Sequence, residues 1–165
     1  MEIGVIADTH DNVPAVEDAV DLFDDNDIEV VLHCGDVIAP LVVPFFEGLE
    51  VHAVLGNNDG ERAGLEAAFE DLGLGSQLHG RLAELRIVGK EIAMLHGEDR
   101  SVVESRAEKG AYDFVFFGHH HERELVEING TTVVNPGAHF PTVPAEHRTI
   151  ALVDLETETV TFERI

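Results

Sequence analysis

The chain has 165 residues, 44% of them hydrophobic, which is enough for one globular domain, 1–165, with a real core. Thirty-three acidic residues against ten basic ones give a net charge of −23, excluding nucleic-acid binding through a basic stripe. No tract is apolar for long enough to span a membrane, the first residues show neither a basic segment nor a cleavage site, and the single cysteine, Cys34, rules out an internal disulfide, so a reducing cytoplasm is the expected location.

Met1–His10 opens with an apolar run, Ile3 to Ala7, that reads as a buried strand, followed at once by Asp8-Thr9-His10. An extended chain can turn residues two apart towards one point, so Asp8 and His10 form a pair. Pro14–Asn26 carries apolar residues at helical spacing among acids, with Asp11 or Asn12 as its cap. Ile28–His33 is a second strand, ended by Cys34-Gly35-Asp36. Pro40–Gly48 is a short helix or turn between proline and glycine. Its apolar residues Val42, Val43, Phe45 and Phe46 suit either the core or a contact between copies in a homo-oligomer. Val51–Leu55 is a third strand, ended by Gly56-Asn57-Asn58-Asp59-Gly60, and Glu61–Leu72 is a helix closed by Gly73. This alternation predicts a mainly parallel sheet with helices on it.

The second half changes character. Leu82–Val88 and Glu91–Leu95 form a hairpin that His96-Gly97 ends; Arg100–Lys109 is a polar helix; Asp113–Phe117 is an apolar strand leading to Gly118-His119-His120-His121. Asn129-Gly130 between two strand runs is the strongest short hairpin signal, and Thr149–Asp154 with Thr159–Arg164 makes a last hairpin. A parallel half and a hairpin-rich half suit two stacked sheets.

Five strand ends therefore carry polar groups: Asp8/His10, Asp36, Asn57, His96 and His119/His121. Turn chemistry explains one such end; five together point to a metal site. Carboxylate, amide oxygen and imidazole without thiolate is not a closed structural zinc set. It suits Mn²⁺, Fe²⁺, Co²⁺, Ni²⁺ or Zn²⁺, with Mn and Ni favoured here. Seven ligands are too many for one ion that must also hold water and substrate. Two divalent ions sharing a carboxylate use them sensibly, lowering the pKa of a bridging water and clamping a phosphoryl group for in-line attack.

Asp8-x-His10, Gly35-Asp36, Gly56-Asn57-x-Asp59, His96-Gly97 and Gly118-His119-x-His121, with Val134-Asn135-Pro136-Gly137, resemble the calcineurin-like metallophosphoesterase signature in its small single-domain phosphodiesterase branch. The resemblance implies an α/β, four-layer αββα sandwich of two mixed sheets flanked by helices. It implies that Asp8, His10, Asp36 and His121 hold one metal, and that Asp36 (bridging), Asn57, His96 and His119 hold the other. A hydroxide between the ions would then attack a small phosphate-ester substrate. His120, the middle histidine, would face that substrate.

One position departs from the pattern. Many relatives have a histidine after the motif asparagine, where it protonates the leaving oxygen; here it is Asn58. An amide cannot supply that proton, so a general-acid factor of about 10²–10⁴ is missing or moved. The expected substrates are diesters with activated leaving groups, with His120 and His139 as candidate displaced acids and Asp59 supporting Asn57 or Asn58. His33 reads as a partly buried strand-end histidine in preference to a group supporting the site; His52, His79 and His147 read as structural or exposed; Arg100 reads as a helix-surface residue in preference to a phosphate contact, and Cys34 as core. The alternatives are a phosphomonoesterase with the same centre and a non-catalytic scaffold resembling the small retromer subunit. A scaffold would be expected to lose ligands, and all seven are present. Acids spread over most segments, with only two lysines, Lys90 and Lys109, read as a surface adapted to high salt, where the Debye length is about 3 Å at 1 M.

Overall fold

A computed structural model describes residues 1–165. In chain order the elements are β1 (Glu2–Ile6), α1 (Val13–Asp25), β2 (Val30–His33), a 3-10 helix (Pro40–Phe46), β3 (Glu50–Ala53) and α2 (Arg62–Leu72). They continue with β4 (Gln77–Leu78), β5 (Leu82–Ile87), β6 (Lys90–Leu95), α3 (Arg100–Glu108), β7 (Phe114–Phe116), β8 (Glu124–Ile128), β9 (Thr131–Asn135), a short 3-10 turn (Ala145–His147), β10 (Thr149–Asp154) and β11 (Thr159–Arg164). No helix is long and apolar enough to cross a membrane.

The strands make two mixed sheets. One has the order β11-β10-β1-β2-β3-β4 and the other β5-β6-β7-β9-β8. In the first, β1, β2, β3 and β4 run parallel, and the last hairpin closes the outer side of β1 antiparallel. The second half of the chain is less hairpin-like than its sequence predicts, because β6, β7 and β9 are parallel to one another. Only β5 and β8 pair antiparallel, at the two edges. β4 is a two-residue strand and has too few residues to show a period.

Alternation along each strand sorts the core into three layers. Ile3, Val5, Leu32, Ile92, Met94 and Phe116 belong to the layer between the sheets. Ile6, Val31, Val51 and Ile150 face the other way, against Phe23 of α1, Phe46 of the 3-10 helix and Phe69 of α2. Ala93, Val115, Phe117 and Val133 meet Val103 and Ala107 of α3. The result is the expected αββα sandwich. Val42, Val43 and Phe46 are core, while Phe45 stays partly exposed. Cys34 is buried between the sheets.

Because β1, β2 and β3 are parallel in one sheet, and β6, β7 and β9 in the other, their carboxyl ends are the natural place for a ligand site. α1 packs close enough to β1 that a Cβ on Gly4 would stand 2.4 Å from Cε1 of the buried Phe23 ring. Gly4→Ala should therefore destabilise the protein by about 1–3 kcal/mol through overpacking. Urea unfolding checks this, and Phe23→Leu in the same chain should recover part of the loss, since the two sites share one contact.

Candidate metal centre

β1 stops at Ile6, and Asp8 and His10 converge differently from the extended chain that the sequence predicts. Both sit in left-handed backbone, with φ of 53° and 46°. Asp36, His119 and His121 do the same, at 57°, 64° and 58°. Each such residue stores about 1 kcal/mol or more of strain, which persists only where the surroundings fix it.

The surroundings are hydrogen bonds between loops. The Asp8 N–H donates to Gly35 O and the His10 N–H to Asp36 O, which lock the first loop to the second. Asp59 accepts the N–H groups of Asp36 (3.0 Å), Ile38 (2.7 Å) and Gly56 (2.7 Å). It thus ties the second loop to the third, rather than orienting the Asn57 or Asn58 side chain. The two loops approach so closely that a Cβ on Gly56 would fall 2.1 Å from Asp36 Oδ1, so only glycine fits there. Asp8 Oδ2 accepts the His119 N–H at 2.9 Å, which draws the fifth loop in.

All seven residues singled out from the sequence meet at this corner. Asp8 Oδ1 lies 3.4 Å from His121 Nε2 and 3.9 Å from both His10 Nε2 and His96 Nε2. Asp36 Oδ2 lies 3.5 Å from His10 Nε2 and 3.4 Å from His96 Nε2, between the two halves of the cluster. His96 Nε2 lies 3.1 Å from Asn57 Oδ1 and 3.3 Å from His119 Nδ1. Its other nitrogen donates to Cys34 O at 2.8 Å, which fixes the tautomer that points Nε2 inward. Donor atoms of Asp8, His10 and His121 come together in one group, and those of Asp8, Asp36 and His96 in another. Asp8 Oδ1 and His10 Nε2 are buried without any hydrogen-bond partner. A native structure rarely strands two such atoms side by side, and a cation would satisfy both.

The electrostatics match. Burial would raise the Asp8 carboxyl, but the imidazoles of His10, His121 and His96 outweigh it and hold it below its ordinary value. Burial acts on Asp36 in the same sense, and His96 with Asn58 overcomes it, holding Asp36 well below the carboxylate range. Burial would lower His96, yet Asp36, Asp8 and the Cys34 carbonyl raise it to about 9. Asp8 raises His10, against burial.

Asn58 is bonded to Asp36 through both its backbone and its side chain. Its backbone N–H donates to Asp36 Oδ1 at 2.9 Å and its amide to Oδ2 at 2.7 Å, clamping that carboxylate. His120 is exposed at the rim, its ring edge-on to Phe117 at 5.7 Å. With His121 and Phe140 it lines a cavity of about 250 Å³. His139 is buried beside Asp8, its backbone N–H donating to Asp8 O. Burial pulls its imidazole down to about 3, so it stays neutral and is unsuited to protonating a leaving oxygen.

The other histidines and Arg100 make their hydrogen bonds outside the cluster. His33 is wholly buried, bonded to Thr9 Oγ1 and accepting the Gly35 N–H. Glu50, His52 and His79 form a chain of contacts at 3.1 and 3.0 Å across β3 and β4. His147 Nδ1 accepts the Arg123 N–H, and Arg100 makes two bonds to Glu124. Sequence reasoning noted Asn135 only within a motif. Here it is buried, donating to Gly118 O and accepting from Gly137 N–H, so it braces the loop of His119 and His121. Phe140, which touches two of the clustered imidazoles, carried no signal beyond following that motif.

Two facing sheets with a histidine–carboxylate corner at their strand ends define a metallohydrolase architecture. Residues 1–158 match the calcineurin-like phosphoesterase superfamily domain, and the chain belongs to that family. It is 37% identical over 139 residues to phosphodiesterase MJ0936 of Methanocaldococcus jannaschii, covering 83% of each chain. It is 31% identical to a probable metallophosphoesterase of Methanothermobacter thermautotrophicus over 153 residues, 87% of this chain and 79% of that one. A solved archaeal phosphodiesterase superposes over the full length of both chains with a TM-score of 0.91 and 33% identity.

Two outcomes are expected. Asp59→Asn should cost about 1–3 kcal/mol in unfolding free energy, because an amide cannot accept three N–H bonds as a carboxylate does. In protein stripped of metal, the raised His96 contributes stability that is complete below its ordinary value of about 6.5 and is lost as the pH climbs through about 9. Asp8 and Asp36, both lowered, contribute the opposite way, above their ordinary value and lost on acidification. Chelated protein should thus unfold more easily in alkaline buffer, and His96→Gln should flatten that limb of the urea-unfolding profile.

Proposed function

We propose that this protein is a metal-dependent phosphodiesterase with two divalent ions at the strand-end corner, residues 1–165 acting as one unit. The observation that carries the reading is the position of Asp36 Oδ2, within 3.5 Å of both His10 Nε2 and His96 Nε2, from which one carboxylate would serve two neighbouring cations. Asp8, His10, Asp36 and His121 would hold one ion; Asp36, Asn57, His96 and His119 would hold the other. Family membership and the phosphodiesterase relatives supply the reaction class. Bound there, such a pair lowers the pKa of a water towards neutrality and offsets the charge that builds on the phosphoryl oxygens.

The chain's own residues do the positioning. Cys34 O holds the His96 proton on Nδ1, and the two bonds from Asn58 fix the plane of the Asp36 carboxylate. That clamp uses up the residue where a proton donor would stand. Esters whose leaving oxygen needs little protonation are therefore favoured, and His120 is the one nearby imidazole open to solvent at the rim. Mixed oxygen and nitrogen donors suit manganese or nickel among the first-row ions. A charge of −23 fits work in concentrated salt, where self-repulsion is screened, and the lone Cys34 fits a reducing cytoplasm.

The test is hydrolysis of bis-p-nitrophenyl phosphate and of p-nitrophenyl phosphate by metal-stripped protein, in low and molar salt. Mn²⁺ or Ni²⁺ should restore turnover of the diester in preference to the monoester, with the higher rate in salt. His121→Ala should lower both metal content and turnover. A monoester preference would leave the centre in place and refute the substrate class.

A further inference from the structure

The two halves of the centre are supported in different ways. His96 is held by a hydrogen bond to Cys34 O and by contact with Asn57 and His119. No hydrogen bond anchors the ring of His10 or His121, and His10 Nε2 is among the stranded atoms. A histidine that binds metal ordinarily needs such an anchor to set its ring plane.

Phe140 takes the place of that anchor. Its ring centroid lies 4.8 Å from that of His10 and 4.7 Å from that of His121, at interplanar angles of 64° and 87°. The two imidazoles meet each other edge-on at 5.9 Å, so the three rings close a triangle of edge-to-face contacts, the arrangement that aromatic quadrupoles favour. His96 and His119 pack against each other at 5.1 Å, and no phenyl ring touches either one. The residue before Phe140 is held from two sides. The His139 N–H donates to Asp8 O, and the Asn12 amide donates to His139 O. Beyond it, the Val143 N–H donates to Phe140 O at 3.0 Å and closes a turn.

We propose that Phe140 is a positioning residue for one ion of the pair: its ring sets the planes of His10 and His121, and so selectively tightens the half of the centre that they and Asp8 form. The inference rests on the two-ion reading above. Shortening the side chain frees both imidazoles to rotate and leaves the His96 half untouched. The loss expected is about tenfold in affinity, the lower end of what removal of a supporting residue costs.

Calorimetric titration of metal-stripped protein with Mn²⁺ tests it without recourse to activity. Unaltered protein should show two binding phases; His121→Ala should abolish one of them and His119→Ala the other, which assigns the phases. Phe140→Ala should weaken about tenfold only the phase that His121→Ala abolishes, and Phe140→Tyr, which keeps the ring, should restore it. Circular dichroism of the stripped variants confirms that each is folded, and Phe140→Leu, which keeps most of the volume without the ring, should behave as Phe140→Ala does. Two unchanged phases in Phe140→Ala, or equal weakening of both, would overturn the inference while leaving the two-ion reading intact. A total stoichiometry below two ions per chain in the unaltered protein would overturn the two-ion reading itself.

Discussion

Two carboxylates and several imidazoles crowded into a corner with little solvent cannot all be satisfied by one another. Asp8 is wholly buried and Asp36 nearly so. The nitrogens that face them lie at 3.4–3.9 Å, too far for good hydrogen bonds and too close to ignore. Burying such charges is costly unless something of opposite sign sits among them. In stripped protein His96 meets part of that need by keeping a proton, which is why it is raised to about 9. A cation bound there would meet it more fully, since metal binding displaces such protons.

Much of the rest of the molecule serves to hold that unfavourable arrangement together. Five of the seven candidate ligands sit in left-handed backbone, which aspartate and histidine enter more readily than most residues but still only as a minority conformation. They are held by contacts distant in sequence: Asp59 grips the loop of Asp36, Asp8 grips the loop of His119, and Asn135 braces that loop from behind. Behind these bonds stand two rigid sheets and three apolar layers, so the strain at the corner is spread over a framework that does not yield. Asn58 belongs to the same effort, since its amide is committed to Asp36.

The order of elements and the seven clustered residues were legible because both leave local marks. An apolar run followed by glycine and a ligand-type residue repeats at Asp36, Asn57 and His119, and the final hairpin matches the structure residue for residue. Less legible was anything that depends on pairing across the fold. β4 exists only because Gln77 and Leu78 lie beside His52 and Ala53. The parallel partnership of β7 and β9 is invisible from the hairpin signal at Asn129-Gly130, which correctly marks β8 and β9 and says nothing of the other edge. The contacts of Asn135 with the loop of His119 and of Phe140 with His10 and His121 were hidden for the same reason, because an asparagine and a phenylalanine in a loop look like turn and surface until their neighbours are known.

The placement of β1 has a consequence for the order of assembly during synthesis. β1 carries Asp8 and His10 at its end, but on one side it pairs with β10, and Leu155 N–H reaches back to Met1 O. Until residues 149–155 leave the ribosome, the first strand has an open edge on that side, and the Asp8 carbonyl lacks the His139 N–H that it accepts in the finished fold. Chain growth delivers the amino-terminal ligands first and completes them last. The corner therefore closes as a late, non-local step of a topology that is intrinsically slow to form, and a nascent chain offers a metal ion only scattered ligands until nearly all of these residues have been made.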